Sequence, residues 1–282
     1  MSAVAFRCLI VLVVTCGTAR GEDFSTLLDR ARMALRDREP DRAVELAGKA
    51  IEAGPQDPRG YQLRADIEAL VGQHRQAVAD YDMAIKLAPD QAELYDRRGS
   101  ERFKLGQIEG SIADFDRFIA MRPDQAPAHW KRGISYYYAG RYEEGRKQFE
   151  GYQTVDDNDV ENAVWRFLCM ARAEGVPKAR AAMLPVKRDA RVPMMEIYSL
   201  YRGDLAPEGV LAAAQADDPP PARLDAQLFY AHLYLALYYE ATGDTKRCVE
   251  HLAEAEEHPI SHYMGDVARV HAKRLRTADN SN

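Results

Sequence analysis

Cysteine is scarce in this chain: four in 282 residues, and two of them, Cys8 and Cys16, fall within the first 21. Cys169 and Cys248 alone remain in the body, each inside a helical pattern, which is too few for a disulfide framework. They read as small buried hydrophobes, with a bond between them left open. A basic excess is also lacking. The 38 Lys and Arg residues stand against 44 Asp and Glu, a net charge of -6, so no basic face for nucleic acid is expected. The apolar run Cys8 to Val14 is too short to span a bilayer as a helix. There is no glycine-rich phosphate loop, no Gly-x-Ser-x-Gly elbow and no His-Glu-x-x-His, so no catalytic constellation and no cofactor are expected. What is present is an ordinary hydrophobic fraction, 46%, which argues against wholesale disorder.

The N-terminus has its own character. Arg7 precedes the apolar run, and Ala19-Arg20-Gly21 places small residues where a signal peptidase reads. Residues 1–21 are therefore expected to be a secretory signal, and the protein periplasmic or otherwise in the cell envelope. Val13-Val14-Thr15-Cys16 offers a rival reading as a lipoprotein box, although Thr15 is large for the position before the modified cysteine. Membrane attachment is expected only if Cys16 is lipidated.

Internal repetition organises the next 136 positions. Segments beginning at Phe24, Pro58, Ala92 and Ala126 are 34 residues apart each time. Counting each first residue as position one, position eight is small: Ala31, Ala65, Gly99, Gly133. Position fifteen is Gly72, Gly106 and Gly140, with Arg38 in the first unit. Position twenty is Ala43, Ala77, Ser111, Gly145, and position twenty-four is Ala47, Tyr81, Phe115, Phe149. Position thirty-two is Pro55, Pro89, Pro123 and finally Asp157. Small residues at eight and twenty let two antiparallel helices approach closely. Glycine at fifteen permits the left-handed turn, and proline ends the second helix. One such unit cannot bury its own face, so units must stack.

These residues resemble the tetratricopeptide-repeat (TPR) family over residues 22–157. The resemblance implies an all-α solenoid of helical hairpins that binds protein or peptide segments and does no chemistry. It also implies that inner-face positions line a concave groove: Gln62, Asp66, Asp96, Ser100, Phe103, Lys104, Trp130, Ile134, Tyr137 and Tyr138. Three successive tyrosines, Tyr136 to Tyr138, cannot share one side of a helix, because neighbours point about 100° apart. Some must face the groove or the region that follows. An arginine column at position seven, Arg30, Arg64, Arg98 and Arg132, is either a ladder for an acidic ligand or a set of internal pairs with Asp80, Asp82, Asp114 and Asp116. Internal pairing is preferred, because an unpaired semi-buried charge is costly.

After Asp157 the period is expected to lapse. Helical spacing predicts helices over Val160–Glu174, Ala179–Val186, Met194–Tyr201 and Pro207–Ala216, an irregular region ending in the breaker Pro219-Pro220-Pro221. Residues 222–282 then return to a TPR-like hairpin, Leu224–Ala241 and Thr245–Glu256, with Tyr263–Leu275 as a cap. The layout is similar to NlpI-like bacterial envelope lipoproteins, on the stretches Ala163 to Leu168, Ile197 to Asp204 and Phe229 to Asp244. That resemblance implies an envelope adaptor for hydrolases or proteases, as a monomer or homodimer. The alternatives are a structural assembly factor, or a metal-dependent enzyme built on His251, His258, His262 and His271 with nearby Glu254, Glu257 and Asp266. Pro259 breaks the helix that would align His258 with His262, so no metal is expected.

Overall fold

The computed structural model describes residues 22–279, so the expected signal over residues 1–21, with Cys16, lies outside the described residues. All regular structure among the described residues is helical. Four hairpins come first: α1 (Phe24–Arg36) with α2 (Pro40–Ala53), α3 (Pro58–Leu70) with α4 (His74–Leu87), α5 (Ala92–Lys104) with α6 (Ile108–Met121), and α7 (Trp130–Tyr138) with α8 (Tyr142–Tyr152). Each hairpin packs on the next.

Local chemistry accounts for the ends. The Asp23 and Asp57 side chains accept backbone N–H groups of α1 and α3, and prolines open α2 and α3 where a missing N–H costs nothing. Gly72, Gly106 and Gly140 turn between helices with φ between 75° and 79°. Arg38, at the same position of the first unit, is forced to φ 62°. A left-handed side chain is strained there. Arg38→Gly is therefore expected to raise the unfolding free energy by about 1 kcal/mol; chemical denaturation measures it, and an unchanged or lowered midpoint would contradict it.

Positions eight and twenty-four are a matched pair. A methyl group on Gly133 would meet the Phe149 ring at 2.7 Å, and one on Gly99 would meet Phe115 at 2.8 Å. Position eight is alanine opposite Ala47, at Ala31, and also opposite the Tyr81 ring, at Ala65, so glycine is required only against the two phenylalanines. The arginine column is internal. Arg64 grips Asp80 through two bonds of 2.6 and 2.8 Å. Arg98 bonds Asp114 of its own unit and reaches back to Asp82 at 2.6 Å. Arg132 bonds Gln148 and reaches back to Asp116 at 3.2 Å. Arg98 and Arg132 thus tie their own hairpins to the preceding ones, whereas Arg64 bonds within its own hairpin and Arg30 pairs with Glu22 ahead of α1.

The expected lapse of the period needs correction. Helix α9 (Val160–Glu174) begins 34 residues after Ala126, and α11 (Met194–Arg202) begins 34 residues after Val160. Arg166 continues the column at position seven and bonds Glu150 at 2.8 Å. What changes is the second helix of each unit. Helix α10 (Val176–Ala181) is short: the helix expected over Ala179–Val186 starts earlier, at Val176, and stops at Ala181. The Tyr198 hydroxyl explains this: it donates to the Leu184 carbonyl and accepts from the Val186 N–H, holding the segment open. Helix α12 (Pro207–Ala214) follows, then α13 (Pro221–Thr242), whose first residue is the last of the three prolines. Helix α14 (Thr245–Glu257) pairs with α13 as a hairpin. No helix among the described residues is long and apolar enough to cross a membrane. One hydrophobic core runs from Phe103 through α9, α11 and α13 to α15 (Tyr263–Asp279). Cys169 and Cys248 are buried in it as free thiols, and burial pushes the Cys248 thiol up to about 12.

Candidate functional site

The first helices of the stacked hairpins line a trough, and its third and fourth units are already filled. Helix α15 turns back and lies along α5 and α7. Tyr263 stacks on Phe103 with ring centres 5.4 Å apart and meets Trp130 edge-on at 5.3 Å. The Lys104 ammonium lies 3.6 Å from Asp266, and the Tyr138 hydroxyl hydrogen-bonds His271 Nδ1 at 3.0 Å. The terminal helix expected to cap the stack is instead the occupant of its groove.

The three tyrosines diverge as their spacing requires. The Tyr136 hydroxyl donates to Asp116 at 3.0 Å, back towards the preceding unit. Tyr137 points into the C-terminal half, donating to Glu240 at 2.9 Å and packing edge-on to Trp165. Tyr138 faces α15.

The expected groove residues therefore separate. Phe103, Ile134 and Tyr137 are at most 1% exposed and do not offer side chains to a partner, because α15 and α9 cover them. Ser100 is buried, donating to the Asp96 carbonyl and accepting from Lys131. Asp96 also takes His129 at 2.9 Å and Lys131 at 2.8 Å. Burial opposes ionisation of Asp96, but these two partners override it and hold the carboxyl at about 2. Gln62, Asp66, Lys104, Trp130 and Tyr138 remain half-buried. Asp66 accepts the Tyr81 hydroxyl at 2.6 Å and pairs with Arg97 at 2.5 Å.

Two openings remain. A cleft of about 460 Å³ lies between the second and third units and the start of α15, bordered by Asp66, Leu70, Arg97, Asp266 and Arg269. Leu70 stands 70% exposed on its wall. A smaller, half-enclosed cavity of about 200 Å³ lies between α7, α9 and the start of α15, walled by Trp130, Tyr152 and Trp165. At its polar side Arg191 reaches Asp159 at 2.6 Å, Glu161 at 2.5 Å and Asp189 at 2.6 Å. Burial holds the Asp159 and Glu161 carboxyls above the ordinary range, even against Arg191. Sequence reasoning missed this cluster, because Arg191 comes to Asp159 from 32 residues away with no local pattern to announce it.

The C-terminal histidines split: His251 and His258 both face His232, with 2.9 Å between the His232 and His251 ring nitrogens and 6.3 Å between the His232 and His258 ring centres, while His262 and His271 have other neighbours. His258 pairs with Asp225, His251 with His232, His262 lies beside Trp130, and His271 is fully buried. Among the described residues no three His, Cys, Asp or Glu side chains gather as a metal-binding group. His271 is faced by Tyr138, Glu240, Cys248, Arg172 and Arg274, and burial, opposed by Glu240, pushes it down to about 4. The folded chain thus prefers neutral His271, while the unfolded chain takes up a proton below its ordinary value of 6.5. Stability from this group is complete above that value and is lost as pH falls towards 4. The expected loss is on the order of 3 kcal/mol relative to His271→Gln; parallel pH–stability curves for the two proteins would refute it.

The tetratricopeptide repeat family is matched over residues 28–92 and again over 69–130. No curated protein matches the chain in sequence. Among solved structures, a tetratricopeptide repeat protein from Parabacteroides merdae ATCC 43184 is similar with a TM-score of 0.58 at 16% identity, covering 87% of this chain and 96% of that one. MamA, from residue 41 to its end, of Desulfovibrio magneticus RS-1 is similar with a TM-score of 0.53 at 19% identity, covering 58% and 92% respectively. At such identities the likeness speaks for the fold alone. Residues 28–130 carry tetratricopeptide repeats, and the described residues fold as an all-α TPR solenoid.

Proposed function

We infer that this protein is a non-catalytic scaffold that binds protein or peptide segments in the part of its trough left open by α15. One observation carries this: the inner wall already holds a helix, through ring contacts at Phe103, Trp130 and Tyr138. A surface built to seat one segment, with exposed Leu70 beside it, is suited to extend that contact to a partner. His262 beside Trp130 and His271 beside Tyr138 lie away from the contact of His251 and His258 with His232, which favours this reading over a metal-dependent enzyme built on those four histidines. The leader-like N-terminus and the NlpI-like layout support an exported adaptor for envelope hydrolases or proteases, membrane-attached only if Cys16 is lipidated.

A photo-crosslinking residue at Leu70, compared with one at Val249 on α14, tests the reading in the native envelope. Leu70 is expected to capture a discrete partner set, reduced by at least about fivefold by Asp66→Arg with helical content unchanged. Equal capture at both positions would overturn it. Fractionation with and without globomycin tests lipidation at Cys16.

A further inference from the structure

Three imidazoles gather where α13, α14 and the link to α15 meet. His232 on α13 and His251 on α14 have Nδ1 atoms 2.9 Å apart and ring centres 5.1 Å apart. The rings therefore point almost straight at each other, the geometry of one shared proton and not of two ligands converging on an ion. His258, just past the end of α14, lies over His232 and pairs with Asp225 of α13 at 3.0 Å. A bond between two imidazole nitrogens needs one N–H and one lone pair. The neutral pair has both, and so does a singly protonated pair, whose bond is charge-assisted. A doubly protonated pair has two donors and no acceptor, and it sets two cations face to face.

The surroundings resist those protons. Burial leads in pushing His232 down to about 4, His251 and His258 add to it, and Glu254 opposes. His251 is also lowered by burial, against Glu250 and Glu254 and with Arg247 reinforcing. The Tyr239 ring lies parallel to His251 at 5.4 Å. From the elements packed alongside, Arg276 of α15 pairs with Glu256 at 3.7 Å and Glu208 of α12 acts on Arg247. Helix α14 has little else to hold it: its buried side chains are Cys248, Leu252 and Ala255. A helix attached by so narrow a stripe opens locally before the core does.

We propose that His232, His251 and His258 form an acid-sensitive latch, closed at neutral pH and open in acid, which fixes the end of α14 and the link that carries α15 into the trough. The folded hairpin prefers the neutral pair, while the unfolded chain takes up protons below the ordinary value of 6.5. The latch is therefore at full strength above that value and is lost as pH falls towards 4. It goes beyond the scaffold reading and stands whether or not the trough binds a partner.

Hydrogen exchange of the purified protein, corrected for intrinsic rates, tests this at about pH 7 and about pH 4.5. Protection over residues 250–262 is expected to fall at least about tenfold in acid, while α9 keeps its own. His251→Gln offers His232 a partner that takes no proton, and should reduce the fall to under about threefold. His271 also resists protonation, so His271→Gln is the control and should open α14 in acid as the parent protein does. Histidine NMR of the parent protein gives a readout that needs no variant: one ring of the pair should stay neutral down to about pH 5. Both rings titrating together near 6.5, unchanged protection in acid, an equal fall in His251→Gln, or a fall shared by α9 would each overturn the proposal.

Discussion

Tyr137→Ala is expected to lower the unfolding free energy by about 3–5 kcal/mol, the range for removing a buried aromatic ring. Tyr137 is 1% exposed, packs edge-on to Trp165 and Tyr138, and donates its hydroxyl to Glu240 on α13. Its loss leaves a cavity at the junction of the repeat stack and the C-terminal half, and takes a donor from a carboxylate that also serves Arg274 and His271. Trp130→Ala, about two helical turns earlier, is expected to cost about 1–2 kcal/mol, since its ring is half-buried at the edge of a cavity. Read from spacing alone, the two residues belong to one binding surface, and their joint replacement should leave stability intact. The structure separates them: Trp130 stays at the site and Tyr137 is core. Urea unfolding followed by circular dichroism measures both, and a Tyr137→Ala loss no larger than that of Trp130→Ala would contradict the assignment.

Arg64→Ala is expected to be comparably damaging, about 3–5 kcal/mol, the cost of stranding one partner of a buried pair. Arg64 is the cation held by Asp80 and lies 3.9 Å from Glu68, and both acids are buried. Burial, reinforced by Asp80 and opposed by Arg64, pushes the Glu68 carboxyl up to about 7. Without the arginine the two acids face each other with no counter-charge. Removing Arg64 takes away the charge that opposes the rise, so part of the loss should return in Arg64→Ala with Glu68→Gln, and as pH is lowered from neutral towards the ordinary carboxyl value of 4.5, because protonation removes the repulsion. A loss under about 1 kcal/mol, or one indifferent to the second substitution, would show the pair to behave as a surface salt bridge. Arg98 is better insured, because Arg102 also reaches Asp114 at 3.0 Å.

Much of this was legible along the chain. The 34-residue period, the small residue at position eight opposite the ring at twenty-four, and the glycine turn each reflect contacts within one hairpin, between residues about sixteen apart or fewer. The arginine column was legible for the same reason, since Arg64 meets Asp80 and Arg98 meets Asp114 at a separation of 16. Arg166 was a readable signal of a fifth unit at the same position, obscured because Phe167 stands where small residues stood before.

Helical periodicity and turn chemistry, being local, are what the sequence by itself determined: hairpins of equal length that must stack to bury their faces. Which part of the resulting trough stays open was decided only by tertiary structure. Tyr137 reaches Glu240 across 103 residues, and Tyr138 reaches His271 across 133. Inner-face position marks a residue as pointing into the trough, but whether solvent, a partner or the chain's own last helix lies there depends on how the irregular middle returns α15. No spacing rule reaches over such distances, because the packing of remote apolar surface carries no period.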